Sequence, residues 1–356
     1  FAAFEDMAAR RAGGLHHLGV TVGDRVAIMA GSHPEFVATV FGIWKVGAIV
    51  VAINAQLGPE EVRYQLDNSG ATLVVVDDGP TRQTIEDTTA ALDRQIEVIG
   101  TLELDGPALE AAELPPNTDA TIFYTSGTTG KPKGAYRRTA ADPRAGAALM
   151  QHIGYQPDDI YLTTGPLYHS GPGGFAASAI AMGQTVVLQR KFDPEDWLRI
   201  LRTHRATSTF SAPTPIRMIC NLPADVKARY ERSSMRVMIA NAAPWSFALK
   251  QQYVTDFPPE SLFEIYGSTE LGVNTVLRPE DQMRKPGSCG KEAPMVEIRL
   301  YDELGNIVTG TGPNATGEVF VRSTAVFADY YKQHDKFEED HRNGFQTVGD
   351  IAYRDD

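Results

Sequence analysis

The sequence predicts an α/β fold: doubly wound sheets packed with helices through a large N-terminal domain, then a smaller β-rich subdomain resembling a distorted barrel. Three observations carry that expectation. Short apolar runs of strand length alternate with amphipathic helical patterns through most of the chain. After Pro286 the helical patterns give way to strand-like runs joined by turns. At 356 residues, 42% hydrophobic and 22% charged, the chain can bury more core than one typical domain holds.

The first such unit spans 32–53. Ser32 has the chemistry of an N-cap and Pro34 suits a first turn, while Phe36, Val40, Phe41 and Trp44 recur at helical spacing. Residues 48–53 then read as a buried strand. The window 36–57 is charged only at Lys45, but Gly42, Gly47, Asn54 and Gln56 interrupt it, so a helix followed by a strand is expected rather than a membrane span. Pro59, Glu60 and Glu61 open a second helix that Asn68–Gly70 close, and 72–77 is a strand. Residues 78–116 are the least patterned and read as a surface connection with short helices. A strand follows at 120–124. Asp193 is placed to cap a helix with Pro194, Glu195 and Asp196 in its first turn and Trp197, Ile200, Leu201 and His204 on one face. Strands follow at 207–210, 236–240 and 263–266, and beyond 286 at 295–301 and 317–323, with a turn at 302–306. The expected division is 1–285 for the α/β part and 286–356 for the β-rich part.

Charge and cysteine usage bound the function. With 33 basic against 45 acidic residues the net charge is −12, which opposes a nucleic-acid partner held by phosphate contacts. Cys220 and Cys289 are far apart and belong to no CxxC or Cys/His cluster, so neither a disulfide framework nor a zinc site is expected. No signal-peptide pattern is present, and the chain begins at Phe1 rather than Met. A cytoplasmic protein is expected, with peripheral membrane association and homodimerisation left open.

The strongest chemical signal is Tyr124-Thr125-Ser126-Gly127-Thr128-Thr129-Gly130-Lys131-Pro132-Lys133-Gly134, directly behind a strand. Glycines let backbone N–H groups approach and surround polyphosphate, hydroxyls donate further hydrogen bonds, and Lys131 and Lys133 offset charge. It is not a Walker loop, because Gly127 to Gly130 is too short and Pro132 stands where Ser or Thr would ligate magnesium. A second constellation, Glu264-Ile265-Tyr266-Gly267-Ser268-Thr269-Glu270, puts a carboxylate just past a strand's carboxyl end, where α/β sheets bind ligands. Glu270 suits Mg²⁺, Tyr266 could cover a nucleobase, and Thr269 could bond a phosphate. In Thr347-Val348-Gly349-Asp350, Asp350 could accept ribose hydroxyls.

These runs, taken in order, resemble the signature motifs of the adenylate-forming superfamily, which includes acyl-CoA synthetases, peptide-synthetase adenylation domains and luciferases. The resemblance runs from about Leu18 to Asp356. It implies that Thr125, Ser126, Gly127, Thr128, Thr129 and Gly130 with Lys131 and Lys133 hold ATP phosphates, that Tyr266, Gly267 and Thr269 adjoin the nucleotide, that Glu270 holds magnesium, and that Asp350 binds ribose. Asn241-Ala242-Ala243-Pro244 resembles the turn that contacts adenine. Tyr168-His169 stands where acyl- and aryl-CoA ligases border the carboxylate tunnel, which leans towards a plain carboxylic acid. Small residues Gly173, Gly174, Ala176, Ala177 and Ala179 suggest room for a long or wide acyl group. Arg137-Arg138 departs from the commoner Thr-His after the phosphate loop.

The resemblance implies ATP-dependent conversion of a fatty or other bulky acid to acyl-AMP, then transfer to CoA. The rival enzyme is an adenylation domain loading an amino or aryl acid onto a carrier protein, and the rival of another class is a non-catalytic nucleotide- or acyl-binding protein. The superfamily's mobile C-terminal domain, with its aligning lysine, has no counterpart before Asp356. The expectation is therefore nucleotide binding with impaired adenylation.

Overall fold

A computed structural model describes residues 1–115, 117–125, 131–138 and 143–355. The chain groups into two compact units, Phe1–Thr139 with Ile160–Asp193, and Ala140–Asp159 with Pro194–Asp356. The α/β class is as the sequence predicts. The β-rich run after Pro286 lies inside the second unit.

The first unit is built on parallel strands Arg25–Met29, Ile49–Ala52, Leu73–Val76 and Glu97–Gly100. Arg25–Met29 is central, with Ile49–Ala52 on one side and Leu73–Val76 then Glu97–Gly100 on the other. Asp119–Thr125 joins beside Ile49–Ala52, also parallel, and Lys133–Arg138 adds antiparallel at that edge. Every residue of Ile49–Ala52 and Leu73–Val76 is buried, which is why both runs are continuously apolar instead of alternating. Strand Glu97–Gly100 and helix Pro80–Ala90 fall within 78–116, read from sequence as a connection. Their apolar pattern is weak because the helix buries only Ile85 and Thr88 and the strand is an edge.

The membrane-like window is a helix, Pro34–Val46, followed by the strand Ile49–Ala52. Among the described residues no helix is long and apolar enough to cross a membrane. The expected cap moves by one residue. His33 is the N-cap and its side chain accepts from Phe36 N at 3.3 Å, because Pro34 takes the first helical position and fixes the cap directly before it. Ser32 Oγ instead accepts from Leu167 N at 3.3 Å.

Helix Ala2–His17 packs against Pro34–Val46, and Gly42 permits the approach. A Cβ at Gly42 would stand 2.7 Å from Arg11 Cβ and 3.0 Å from Ala12 N. Pro59–Ser69 is the second predicted helix, ended at Gly70 with φ 67°.

In the second unit, strands Ser208–Ser211, Val237–Ala240 and Leu262–Ser268 run parallel, and Gly272–Leu277 and Lys291–Glu292 continue the order antiparallel. A separate antiparallel sheet is made by Glu297–Tyr301, Gly317–Arg322, Phe345–Gln346 and His341–Arg342, with Ile351–Ala352 pairing Gly317–Arg322. Helix Pro194–His204 buries Trp197, Leu198, Ile200 and Leu201. His204 is exposed, contrary to the expected stripe: it lies in the last turn, where the buried face is already complete at Leu201. Both cysteines are free, Cys220 buried and Cys289 exposed.

Gly42→Ala sets two effects against each other. Helix propensity favours alanine by about 1 kcal/mol, while overpacking a backbone contact costs roughly 1–3 kcal/mol. The atom facing the new methyl is held by a neighbouring helix, so packing should win. Urea titration should show a lower midpoint for the variant; an unchanged or higher one would mean the two helices part freely.

Candidate nucleotide and acid site residues

Each unit carries its own set of predicted site residues. In the first, Asp119–Thr125 and Lys133–Arg138 form the two stems that flank the phosphate motif, with Thr125 opposite Lys133 and Tyr124 opposite Gly134. Ser126, Gly127, Thr128, Thr129 and Gly130 lie outside the described residues. Lys131 is exposed, with Nζ 5.4 Å from the centre of the Tyr64 ring. Tyr64 donates its hydroxyl to Pro132 O at 3.0 Å, and Tyr124 donates to Asn68 Oδ1 at 2.7 Å. Arg138 pairs with Asp119 at 2.9 Å across the base of the stems, giving it a structural partner.

Tyr168 and His169 precede helix Ser170–Ala181, for which His169 is the N-cap residue. His169 O accepts from Gly173 N at 2.9 Å, and the two rings lie 4.4 Å apart with a 51° tilt. Desolvation pulls the His169 imidazole below the ordinary histidine range although the residue keeps an exposed edge, so a neutral ring is favoured near pH 7. Burial raises the Tyr168 hydroxyl. The segment is tied back to the sheet through Leu167 N and Ser32 Oγ. Beside Ser32, His33 lies between Glu35 at 2.9 Å and Asp77 at 2.8 Å, and Asp77 also accepts from Gly31 N and Thr101 Oγ1.

The small residues of this helix do not act as one open face. A Cβ on Gly173 would meet Leu167 O at 2.3 Å, so that glycine serves a backbone contact. Ala176 and Ala179 are buried in the core, Ala177 is half-buried, and Gly174 faces open space. Their smallness reflects helix packing, which removes most of the sequence argument for a wide acyl pocket.

In the second unit, Asn241-Ala242-Ala243-Pro244 follows strand Val237–Ala240 directly. Asn241 Nδ2 donates to Ile265 O at 2.6 Å, tying the turn to the neighbouring parallel strand. Ala242 has φ 68°, a left-handed conformation that costs a non-glycine residue about 1–2 kcal/mol. Beneath the turn, Glu264 accepts from Trp245 N and pairs with the buried Lys250. Sequence reading gave Glu264 no role and did not single out Lys250. Nothing in its helical context marks a lysine that will be buried.

Tyr266 and Gly267 sit at the bulge in Leu262–Ser268, and Thr269, Glu270 and Leu271 make the turn into the next strand. Tyr266 donates its hydroxyl to Asp350 Oδ2 at 2.7 Å, joining two motifs 84 positions apart. Burial first, and the Asp350 carboxylate second, push the Tyr266 hydroxyl well above the usual phenol range, so it remains a donor at any working pH. Asp350 is exposed, and its carbonyl accepts from Val319 N at 2.8 Å, which pins the backbone while the carboxylate stays accessible. Glu270 is only 8% exposed; its carbonyl accepts from Phe327 N at 2.6 Å, and the Tyr330 hydroxyl lies 3.5 Å from Oε1. Tyr330 was not foreseen, because the relevant contact spans 60 positions. Among the described residues no group of three or more His, Cys, Asp or Glu side chains is placed to hold a metal ion. A magnesium ion that arrives with phosphate needs only one or two protein carboxylates, so Glu270 alone fits that ion.

The profile of the family described as AMP-binding enzyme matches residues 1–331. The chain belongs to this family. A 2-succinylbenzoate–CoA ligase of Bacillus velezensis is 31% identical over 94% of this chain and 66% of its own length. A feruloyl-CoA synthase of Amycolatopsis sp. is 29% identical over 97% of this chain and 69% of its own. The chain thus spans about two-thirds of the curated relatives it matches. Among solved structures, the inhibitor-bound N-terminal domain of FACL13 from Mycobacterium tuberculosis is similar with TM-score 0.90 and 27% identity, covering 100% of this chain and 89% of that one. The matched residues include the motifs at 124–134, 241–244 and 264–270, while Thr347–Asp350 lies beyond them.

Lys250→Met should be strongly destabilising, by roughly 3–5 kcal/mol, because it leaves the Glu264 carboxylate without its buried partner. Thermal unfolding of the variant, with the Lys250→Met/Glu264→Gln double variant beside it, measures this. The double variant should recover part of the loss; equal midpoints for wild type and Lys250→Met would show that the pair carries no load.

Proposed function

We propose that this chain belongs to an AMP-forming carboxylic acid–CoA ligase, and that its own residues bind ATP and the acid. In the reaction a carboxylate oxygen attacks the α-phosphorus of ATP, the bond to the β-phosphate oxygen breaks, and pyrophosphate leaves. The CoA sulfur then attacks the acyl carbon, its thiol proton is lost, and AMP leaves. Activation is required because a carboxylate is a poor electrophile.

The residue roles follow the motifs. Thr125 to Gly130 with Lys131 and Lys133 would take the phosphates, Asn241 to Pro244 the adenine, and Tyr266 the face of the base. Thr269 would bond a phosphate, and Asp350 would accept the ribose hydroxyls. Glu270 would hold Mg²⁺, which supplies charge neutralisation at the phosphates when bound. Tyr168 and a neutral His169 would border the acid. The observation that carries the reading is the Tyr266–Asp350 hydrogen bond, because it brings a base-sized aromatic and an accessible, acceptor-only carboxylate together from remote parts of the sequence. The names of the relatives, a succinylbenzoate ligase and a feruloyl-CoA synthase, favour a bulky aryl acid over a long-chain fatty acid.

Calorimetric titration with non-hydrolysable benzoyl-, cinnamoyl-, hexadecanoyl- and aminoacyl-AMP analogues tests the function and the acid class together. An aryl analogue should bind most tightly. Preference for the aminoacyl analogue would favour a carrier-loading domain, and failure of all four on folded protein would sink the adenylate reading. Asp350→Ala should weaken AMP binding by about tenfold or more, the worth of charged hydrogen bonds lost. Glu270→Gln should reduce the Mg²⁺ dependence of ATP binding while leaving magnesium-free AMP binding nearly unchanged. Full retention of that dependence would remove Glu270 from the metal role.

A further inference from the structure

We propose that Tyr64 and Asn68 of helix Pro59–Ser69 are positioning residues that hold both stems of the phosphate-binding segment from one side. The inference rests on the reading above that this segment takes the phosphates of ATP. Tyr64 and Asn68 occupy one face of the helix, since residues four apart are neighbours on a helical surface. Tyr64 holds the descending stem through its hydrogen bond to Pro132 O at 3.0 Å. The ascending stem is held by Tyr124, which donates to Asn68 Oδ1 at 2.7 Å and approaches Gln65 O at 3.2 Å. The two tyrosine rings meet edge to face, 6.2 Å between centres and inclined at 72°, so the two attachments brace each other.

The Tyr64 ring does a second job. It attracts the Lys131 ammonium, 5.4 Å from its centre, in an open groove of about 410 Å³ lined also by Glu60, Arg63, Asp67 and Asn68. A π face narrows the range of a long side chain without cancelling its charge. A carboxylate partner would compete with phosphate for the same cation; an aromatic ring does not. Fixing the stems and the lysine before the ligand arrives lowers the ordering cost of binding. The effect should be confined to ligands that reach the phosphate segment.

The test is calorimetric binding of MgATP and of AMP to the 356-residue chain and its Tyr64→Phe, Tyr64→Leu and Asn68→Ala variants. Tyr64→Phe keeps the ring and loses the hydroxyl, and should weaken MgATP about fivefold, what one hydrogen bond of ordinary net worth amounts to. Tyr64→Leu also loses the ring and should weaken it further. Asn68→Ala, which acts through the other stem, should weaken MgATP as well, and AMP affinity should stay within about twofold throughout, because AMP lacks the β- and γ-phosphates. Unchanged MgATP affinity in all three variants would overturn the proposal, and so would equal weakening of MgATP and AMP, which a general structural role predicts. A wild-type chain that binds AMP but not MgATP would instead fail the phosphate reading of the segment, and the proposal with it.

Discussion

Parallel strands that are buried on both faces constrain everything else in this protein. Ile49–Ala52 and Leu73–Val76 are buried and apolar along their whole length, so they carry no polar chemistry themselves. Their connections must cross back over the sheet, which leaves the loops beyond the carboxyl ends as the places where polar groups can gather. Strand Arg25–Met29 is followed by Ser32 and His33, Leu73–Val76 by Asp77, Asp119–Thr125 by the phosphate motif, and Val237–Ala240 by Asn241 to Pro244. Leu262–Ser268 delivers Glu270 in the same way. Asn241–Pro244 and Thr269–Glu270 are local in sequence because each follows the end of one strand, whereas Tyr266 and Gly267 lie within one.

The exits are supported from beneath by groups of a different kind. Glu264 and the buried Lys250 form a pair beside the Asn241–Pro244 turn, and Glu264 also accepts the N–H of Trp245. Buried ion pairs add little net stability over apolar packing, and the turn beside this one includes the left-handed Ala242. The stems Asp119–Thr125 and Lys133–Arg138 are held through two tyrosines and an asparagine, and the Tyr168–His169 turn through Ser32. Lys250, Tyr64, Asn68 and Ser32 belong to no motif themselves, yet each bonds a motif residue or its neighbour.

Membership of the AMP-binding enzyme family fits this division between exits and supports. A 2-succinylbenzoate–CoA ligase and a feruloyl-CoA synthase share about three residues in ten with the chain. The helix that follows Tyr168 and His169 shows how easily composition misleads. Its glycine and alanines look like space for substrate, but Gly173, Ala176 and Ala179 are small because backbone and core approach them closely.

The sequence by itself determined the α/β class, eight of the strands and the helix–strand nature of the 36–57 window. The central strand Arg25–Met29 and the antiparallel strands Lys133–Arg138 and Gly272–Leu277 were not predicted. Each predicted feature depends on a local signal: an apolar run, or a proline and acidic first turn. Boundaries slipped where two neighbours competed for one role, as Ser32 and His33 did for the cap, and an edge strand at 97–100 escaped notice for want of a strong pattern. Only the tertiary structure decided which remote residues meet. Tyr266 with Asp350, Tyr330 with Glu270, Lys250 with Glu264 and Tyr64 with Pro132 are contacts between segments, and no periodicity in the chain encodes them. A strand's apolarity is written in its own residues, but a partner's identity depends on how the sheets bring distant loops together.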